Sequence, residues 1–232
     1  MDIHKPKPVH GWRELLSEIA IIVLGILIAL AGEQAVEAFH WSERIREAEA
    51  QMSKELTEDN GPQALERLAQ SPCIAAQLDG LQKALIAERD TGAPFRGAAP
   101  VVPTFNTWDS DAYRQAMASS TIAHMSPERG YAWSSPYSLM PDMDAVAVKE
   151  ANDYAELSDA ALAPVHPSEA MRERLLSAIS RAKGDNLLLT FLSGRFVHYV
   201  KEPGVTLSFD QARRRLDATS NRFPACRALP RS

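Results

Sequence analysis

The longest apolar stretch of the chain runs from residue 19 to residue 32 and contains no charged side chain. Trp12 and Trp41 flank it at a separation of 29 residues, about 43 Å along an α-helix. This length is close to that of a bilayer with its headgroups, and tryptophan is common at both membrane interfaces. We therefore predict a transmembrane anchor over residues 15–38.

The residues before this span indicate its orientation. Residues 1–14 carry the basic side chains of Lys5, Lys7 and Arg13. Because basic residues beside a span stay on the cytoplasmic side, we predict a short cytoplasmic segment over 1–14 and a periplasmic domain over 39–232. The alternative is a signal peptide that is cleaved after Ala31. Both alternatives export the rest of the chain, and the first predicts a single-pass protein whose residues from about 40 onward face the periplasm or the exterior.

One side of the predicted anchor combines small and acidic residues. At 100° per residue, an arc of about 100° contains these positions: Glu18, Gly25, Ala29, Gly32 and Glu33. Small residues at this spacing let a second helix approach closely in lipid, and acidic side chains are better placed there than against acyl chains. We predict helix packing through this stripe. The alternative is that small residues are simply common in membrane helices.

Beyond the anchor, the apolar positions recur every three or four residues, and Pro and Gly separate the segments. The pattern extends the anchor helix to a stop at Asn60 and then predicts helices over 62–89, 109–124, 141–163, 168–200 and 208–218. A loop rich in Pro and Gly is predicted over 91–107, and an extended tail over 219–232. In no segment do apolar and polar residues alternate as they do in a β-strand. We therefore predict an all-α fold: an N-terminal transmembrane helix that continues into an antiparallel helical bundle.

Local signals add detail to three of these helices. In helix 62–89, four apolar residues form one core stripe at spacings of four, three and four: Ile74, Leu78, Leu81 and Leu85. Thr107 or Asp109 is expected to cap helix 109–124, and Ser168 is expected to cap helix 168–200.

Charge narrows the choice of partners. The formal net charge of −5 argues against nucleic acid as a partner.

The charges are distributed unevenly along the chain. Residues 33–66 hold nine acidic and three basic side chains, whereas residues 206–232 hold six arginines and two aspartates. This asymmetry predicts that the tail folds back toward the first helices. A solvated surface is the alternative.

The chain has two cysteines, Cys73 and Cys226. An even and minimal cysteine count in an oxidising compartment is typical of a structural disulfide. We predict that Cys73 and Cys226 are linked. Two buried thiols, or a disulfide between two chains, are the alternatives.

Three N-terminal segments carry a resemblance to a known family: residues 5–14 (KPKPVHGWRE), 21–30 (IIVLGILIAL) and 33–41 (EQAVEAFHW). With the helix at Trp108 and the pair Cys226-Arg227, they resemble an uncharacterised family of bacterial single-pass membrane proteins. The resemblance implies an N-terminal anchor and an exported helical domain, and with it a location in the bacterial inner membrane. It implies no activity.

Motifs for catalysis and metal binding are weak. Glu37 and His40 have the Glu-x-x-His spacing of di-iron bundles, but those sites need a second such motif, which the sequence lacks. His124, His166 and His198 are isolated and have no zinc-type spacing. We therefore predict no catalytic residue, no metal site and no cofactor, and the protein is not expected to be an enzyme.

Aromatic residues are concentrated between residues 108 and 154 and alternate with methionines. Such side chains can line a ligand pocket, although a bundle core is the commoner explanation. The predicted ligand-binding residues are Trp108, Tyr113, Arg114, Tyr131 and Trp133.

Two function classes therefore remain open. The first is a membrane-anchored, non-enzymatic interaction or accessory protein that contacts lipid and holds a membrane-protein partner or a second copy through its anchor. The second is an exported domain that binds or senses a small molecule through the region from Trp108 to Tyr137. The short cytoplasmic segment leaves little room for a signalling output, which favours the first class.

Overall fold

The computed structural model describes residues 11–97, 100, 103, 107–210 and 213–214, and this part of the chain is all-α, without a strand. Its contacts divide the chain into two compact units, Met1–Glu47 and Ala48–Ser232. The predicted fold class is confirmed: a long apolar N-terminal helix continues into a helical bundle.

Helix α1 (Trp12–Glu55) contains the apolar run. Its large apolar side chains from Leu15 to Val36 are all exposed. In the part of the chain that the structure describes, this is the one helical segment long and apolar enough to cross a membrane, with a mean hydropathy of 2.6 in its best window. Residues 1–10 of the predicted cytoplasmic segment lie outside the described residues.

A π-helical segment, Leu56–Asn60, joins α1 to α2 (Gly61–Thr91). The predicted stop at Asn60 is therefore wrong, because the chain remains helical there. Gly61 donates its N–H to the carbonyl of Leu56, five residues back. Pro62 falls in the first turn of α2, directly after the π segment.

Four further α-helices follow, interrupted by two short 3₁₀ segments: α3 (Asp111–Ala118), Ile122–His124, α4 (Pro127–Tyr137), α5 (Met140–Leu157), Ser158–Leu162 and α6 (Glu169–Tyr199). The sequence did not predict α4. The predicted helix 141–163 ends earlier than expected, at Leu157, and continues as a 3₁₀ turn. The prediction for α6 is confirmed, and Ser168 caps it by accepting a hydrogen bond from the N–H of Met171 at 3.3 Å.

Helices α2, α5 and α6 enclose the hydrophobic core. The predicted stripe of α2 is buried there, together with Tyr154 and Leu157 of α5 and with Leu175 and Ile179 of α6. Phe95 covers one edge of this core, and its N–H donates to the carbonyl of Val165 at 2.8 Å. Burial of each leucine or isoleucine side chain in this core stabilises the fold by about 1.5–3 kcal/mol.

After α6, the chain turns at Lys201–Gly204 and buries Val205. Most of the predicted helix 208–218 and all of the predicted tail 219–232 lie outside the described residues. Cys73 is half-buried within α2. Because Cys226 belongs to the tail, its link to Cys73 stays a prediction, as does the fold-back of the basic tail.

Candidate functional site

The small and acidic stripe of the anchor is exposed along its whole length. Glu18, Gly25, Ala29, Gly32 and Glu33 are all accessible. A Cβ atom added at Gly25 or at Gly32 would meet no atom within 4 Å. The stripe is thus open to a second helix, and its packing role stays a prediction.

The aromatic residues singled out from the sequence occupy several different environments. Trp108 is buried against the ring of Phe196, with centroids 5.6 Å apart. Tyr113 stacks on Tyr137 at 4.7 Å. Arg114 is exposed and forms an ion pair with Asp111.

The other two predicted residues lie on α4. Tyr131 is 68% exposed, whereas Trp133 is buried and donates its Nε1–H to Glu49 Oε1 at 2.9 Å. Arg129 also pairs with Glu49. Of the predicted residues outside α4, Tyr113 contacts this helix through its stack on Tyr137. It shows Trp108 and Trp133 engaged in packing and hydrogen bonding, so the ligand-binding role of the five residues stays a prediction.

The start of α3 is held by side chains from the end of α1 and the π segment. Glu55 Oε2 accepts the N–H of Ala112 at 2.9 Å. Asn60 donates its Nδ2–H to the carbonyl of Asp109 at 2.7 Å and accepts the N–H of the same residue at 2.9 Å. Ser110 occupies the N-cap position without a side-chain bond. The predicted capping by Thr107 or Asp109 is therefore wrong.

Burial changes the titration of two groups beside this contact. It raises the pKa of Glu55, with Asp109 and Asp111 adding repulsion, although the Ala112 N–H opposes the shift. Burial also raises the pKa of Tyr137, and the neighbouring Glu55 raises it further. Tyr137 therefore remains a neutral donor to the carbonyl of Met52, at 3.3 Å.

A charged network crosses the interior of the bundle. Arg67 of α2 donates from Nη1 and Nη2 to the two carboxylate oxygens of Glu150 on α5, at 2.7 and 2.5 Å. Its Nη2 also donates to Asn186 Oδ1 on α6 at 2.9 Å. Glu150 is 0% exposed. All three core helices thus meet at one buried ion pair.

Hydroxyl groups extend this network. Asn186 donates to the carbonyl of Ser71 at 3.2 Å, and Thr190 donates to Ser71 Oγ at 2.6 Å. Ser193 Oγ is buried without a hydrogen-bond partner among the residues described. The ion pair is enclosed, and the Arg67 Nε–H is buried without a hydrogen-bond partner among the described residues. The network joins the three core helices and contributes to their packing.

Sequence reasoning missed this network, although a signal for it existed. Arg67 stands seven residues before Ile74, on the apolar stripe of α2. Glu150 and Asn186 likewise occupy core positions of their helices, four residues after Val146 and after Ala182. A polar residue on a core stripe predicts a buried partner.

A second ionic contact joins the end of α2 to the start of α6. Arg172 donates from Nε and Nη2 to Glu88 Oε2 at 3.0 and 2.7 Å, and His166 Nδ1 lies 3.3 Å from Glu88 Oε1. Burial opposes ionisation of Glu88, but the hydrogen bonds from Arg172 and His166 outweigh it and lower the pKa of this carboxyl.

The outer side of α6 presents an exposed apolar surface. Leu187 is 71% exposed and Phe191 is 57% exposed, and the exposed Gly184 and Gly194 lie one turn away at either end. The guanidinium of Arg195 lies 5.9 Å from the ring centroid of Phe191. We call Gly184, Leu187, Phe191, Gly194 and Arg195 the outer face of α6.

These features define an all-α protein in which an apolar N-terminal helix precedes a helical bundle with an ionic core. No protein-family model, curated protein or solved structure matches this chain. Fold, exposure and charge therefore provide the basis for a functional proposal.

Proposed function

We propose that the protein is a membrane-anchored, non-enzymatic interaction protein whose helical domain holds a partner protein. The observation that carries this proposal is the outer face of α6, an exposed apolar surface on a domain that follows a candidate membrane span. The basic residues before the span favour a cytoplasmic N-terminus and a periplasmic domain at the bacterial inner membrane.

The shape of the outer face favours a helical or extended segment as its occupant. Leu187 and Phe191 project one turn apart, and Gly184 and Gly194 leave open backbone beyond them, because a Cβ atom at either glycine would meet nothing within 4 Å. A partner backbone can therefore approach closely at both ends, with the two large apolar side chains between them.

Charge defines the chemistry of the partner further. Arg195 lies over the aromatic rings of Phe191 and Tyr199, at 5.9 and 5.0 Å from their centroids. It also donates a hydrogen bond to the Tyr199 hydroxyl, and its side chain remains exposed at the edge of the apolar surface. We propose an amphipathic segment of another protein, with apolar side chains opposite Phe191 and a carboxylate opposite Arg195.

Site-specific photo-crosslinking tests this proposal in the full chain in its native membranes. A benzophenone amino acid replaces Phe191 in one sample and Leu162 in a control sample. Leu162 is also exposed and apolar. It lies beyond the other end of α6 from Phe191, because it is three residues from Asp159, which pairs with Arg174. Arg174 lies 17 residues before Phe191, about 25 Å along α6. We expect one discrete partner to crosslink at position 191 and not at position 162.

Binding of the identified partner to the purified full chain provides the second measurement. Phe191→Asp is expected to weaken the affinity by about tenfold or more, as for the loss of a buried aromatic contact. Leu162→Asp is the matched control and is expected to leave the affinity unchanged. Equal crosslinking at both positions, or crosslinking only between copies of this chain, would contradict the proposal.

A further inference from the structure

A cavity of about 350 Å³ lies at the end of the bundle where α6 finishes. Its walls come from α2, from the last turn of α6 and from the segment that follows: Leu65, Val197, Lys201, Gly204, Val205, Thr206, Leu207 and Phe209. The volume falls within the range of about 300–1,000 Å³ that is usual for small-molecule sites. The cavity involves none of the residues of the outer face of α6.

The chain builds one wall of this cavity by reversing direction after α6. The N–H of Gly204 donates to the carbonyl of Lys201 at 3.0 Å, and Gly204 adopts a left-handed conformation with φ of 84°. The reversal buries Val205 and returns Leu207 to the start of α2. There Leu207 packs where the missing side chain of Gly61 leaves room.

The lining combines an apolar interior with a single charge. Leu65, Val197, Val205, Leu207 and Phe209 are apolar, and Thr206 contributes a hydroxyl group. Among the described residues that line the cavity, Lys201 alone is charged, and it is exposed. An exposed ammonium group beside an apolar cavity matches a ligand with a hydrocarbon chain and one anionic head.

We infer that this cavity binds a single-chain amphiphile with an anionic head group, such as a fatty acid. The hydrocarbon chain occupies the apolar interior, and the carboxylate pairs with the Lys201 ammonium group and accepts a hydrogen bond from Thr206. The inference goes beyond the proposed function and depends on neither the outer face of α6 nor its partner.

Photo-labelling of the full chain in membranes tests the inference. The probes are a long-chain fatty acid with a diazirine in its alkyl chain and the matching fatty alcohol, which has the same chain without the charge. After irradiation, mass spectrometry maps the labelled peptides. We expect the acid to label residues 197–209 and the neighbourhood of Leu65, and to do so more strongly than the alcohol.

Variants separate the head-group contact from the apolar contact. Lys201→Met is expected to lower labelling by the acid about two- to fivefold, as for an exposed ion pair, and to leave labelling by the alcohol unchanged. Lys149→Met, which changes another exposed lysine, is the matched control and should have no effect. Leu65→Trp, which fills the cavity, should abolish labelling by both probes at this site.

Two results would overturn the inference. One is labelling confined to the anchor, with none in residues 197–209. The other is equal labelling by acid and alcohol that does not respond to Lys201→Met. Because Lys201 is exposed, its replacement does not threaten folding, and the test remains decisive even if Leu65→Trp does not fold.

Discussion

The Arg67 side chain shows how single residues determine the interior of this bundle. Removing two charges from water costs several kcal/mol per ion, and attraction offsets this cost only where geometry is good and the remaining donors are satisfied. The two-pronged contact of Arg67 with Glu150 and its third bond to Asn186 provide that geometry for both Nη groups, whereas the buried Nε–H has no hydrogen-bond partner among the described residues. The pair is therefore sensitive to the loss of either partner.

Arg67→Met is expected to destabilise the domain by about 3–5 kcal/mol, because it leaves the carboxylate of Glu150 buried without a cation. Arg67→Met combined with Glu150→Met should be less destabilising than Arg67→Met alone, since no uncompensated charge remains. Chemical denaturation of the full chain measures both free energies of unfolding. A double variant at least as unstable as the single one would contradict this interpretation.

Two glycines of α2 should respond to alanine in opposite directions. At Gly61, a Cβ atom would lie 2.5 Å from the carbonyl oxygen of Leu56 and would overlap the side chain of Leu207. At Gly80, the same atom would meet nothing within 4 Å. Gly61→Ala should therefore cost about 1–3 kcal/mol of folding stability. Gly80→Ala should add about 0.5–1 kcal/mol, because alanine favours the helix.

Thermal unfolding of the two glycine variants provides the measurement. We expect Tm to fall for Gly61→Ala and to rise for Gly80→Ala. A rise for both variants would show that the π segment and Leu207 adjust to a side chain at position 61 without strain.

The Glu88 carboxyl predicts a pH dependence of stability. Its pKa in the folded protein is lowered from the ordinary value of 4.5. Its stabilising contribution is therefore fully present above the unfolded-state pKa and is lost as the pH falls through the lower, folded-state pKa. Glu88→Gln should be less stable than the unchanged protein at neutral pH, and the difference should shrink as the pH falls below 4.5. A difference that is constant with pH would contradict the ionic role of Glu88.

At the scale of elements, helix α3 depends on side chains from far along the chain. Glu55 and Asn60 satisfy the backbone around its start, at separations of 57 and 49 residues. An eight-residue helix is marginal by itself in water. The π segment therefore has a function in the fold, since it ends at Asn60 and positions that side chain against Asp109.

Asn60→Ala is expected to loosen α3 without unfolding the bundle. It removes the two hydrogen bonds that the Asn60 side chain forms with the backbone N–H and carbonyl of Asp109. Amide hydrogen exchange should become faster across residues 109–118 and stay unchanged in the core of α2, α5 and α6. Asn152→Ala, on the exposed side of α5, is the control. Equal protection of α3 in both variants would show that packing alone holds this helix.

The helices that the sequence predicted well are those with a periodic apolar stripe. In α2, the spacing from Ile74 to Leu85 matches the buried face. Helix α4 has no such stripe, because it buries four of its last five residues, Trp133, Ser135, Pro136 and Tyr137, against different neighbours. The capping of α3 was unpredictable for a different reason: its partners are distant in sequence, and local patterns do not encode distant contacts.

The candidate sites were predicted less completely than the helices. Leu187 and Phe191 of the outer face of α6 have the same spacing as core residues, and only the packing shows which side of the helix is open. The cavity near Lys201 depends on a chain reversal at Gly204 whose direction no local pattern fixes. By contrast, the buried positions of Arg67 and Glu150 could have been inferred from the stripes in which they lie.

At the scale of the whole molecule, export predicts the oxidation state of the two cysteines. If the domain is periplasmic, Cys73 and Cys226 should form a disulfide, which would close a loop of about 150 residues and stabilise the domain by about 5 kcal/mol in the chain-entropy model. Alkylation of the full chain in intact cells, followed by non-reducing digestion, should yield one linked peptide pair. A sample reduced before alkylation is the control. Recovery of both cysteines as alkylated thiols would contradict the predicted disulfide.

The meeting of three helices at Arg67 also bears on the order of assembly. Its partners lie 83 and 119 residues away, so each contact requires the closure of a long loop, which costs conformational entropy. A collapsed chain in which only α2 and α5 have docked would leave this guanidinium incompletely paired, and water would remain around it. Water should therefore leave the interior only when α6 docks against the other two helices. Such an all-or-none final step disfavours long-lived, partly compacted species, which are the ones most prone to aggregate.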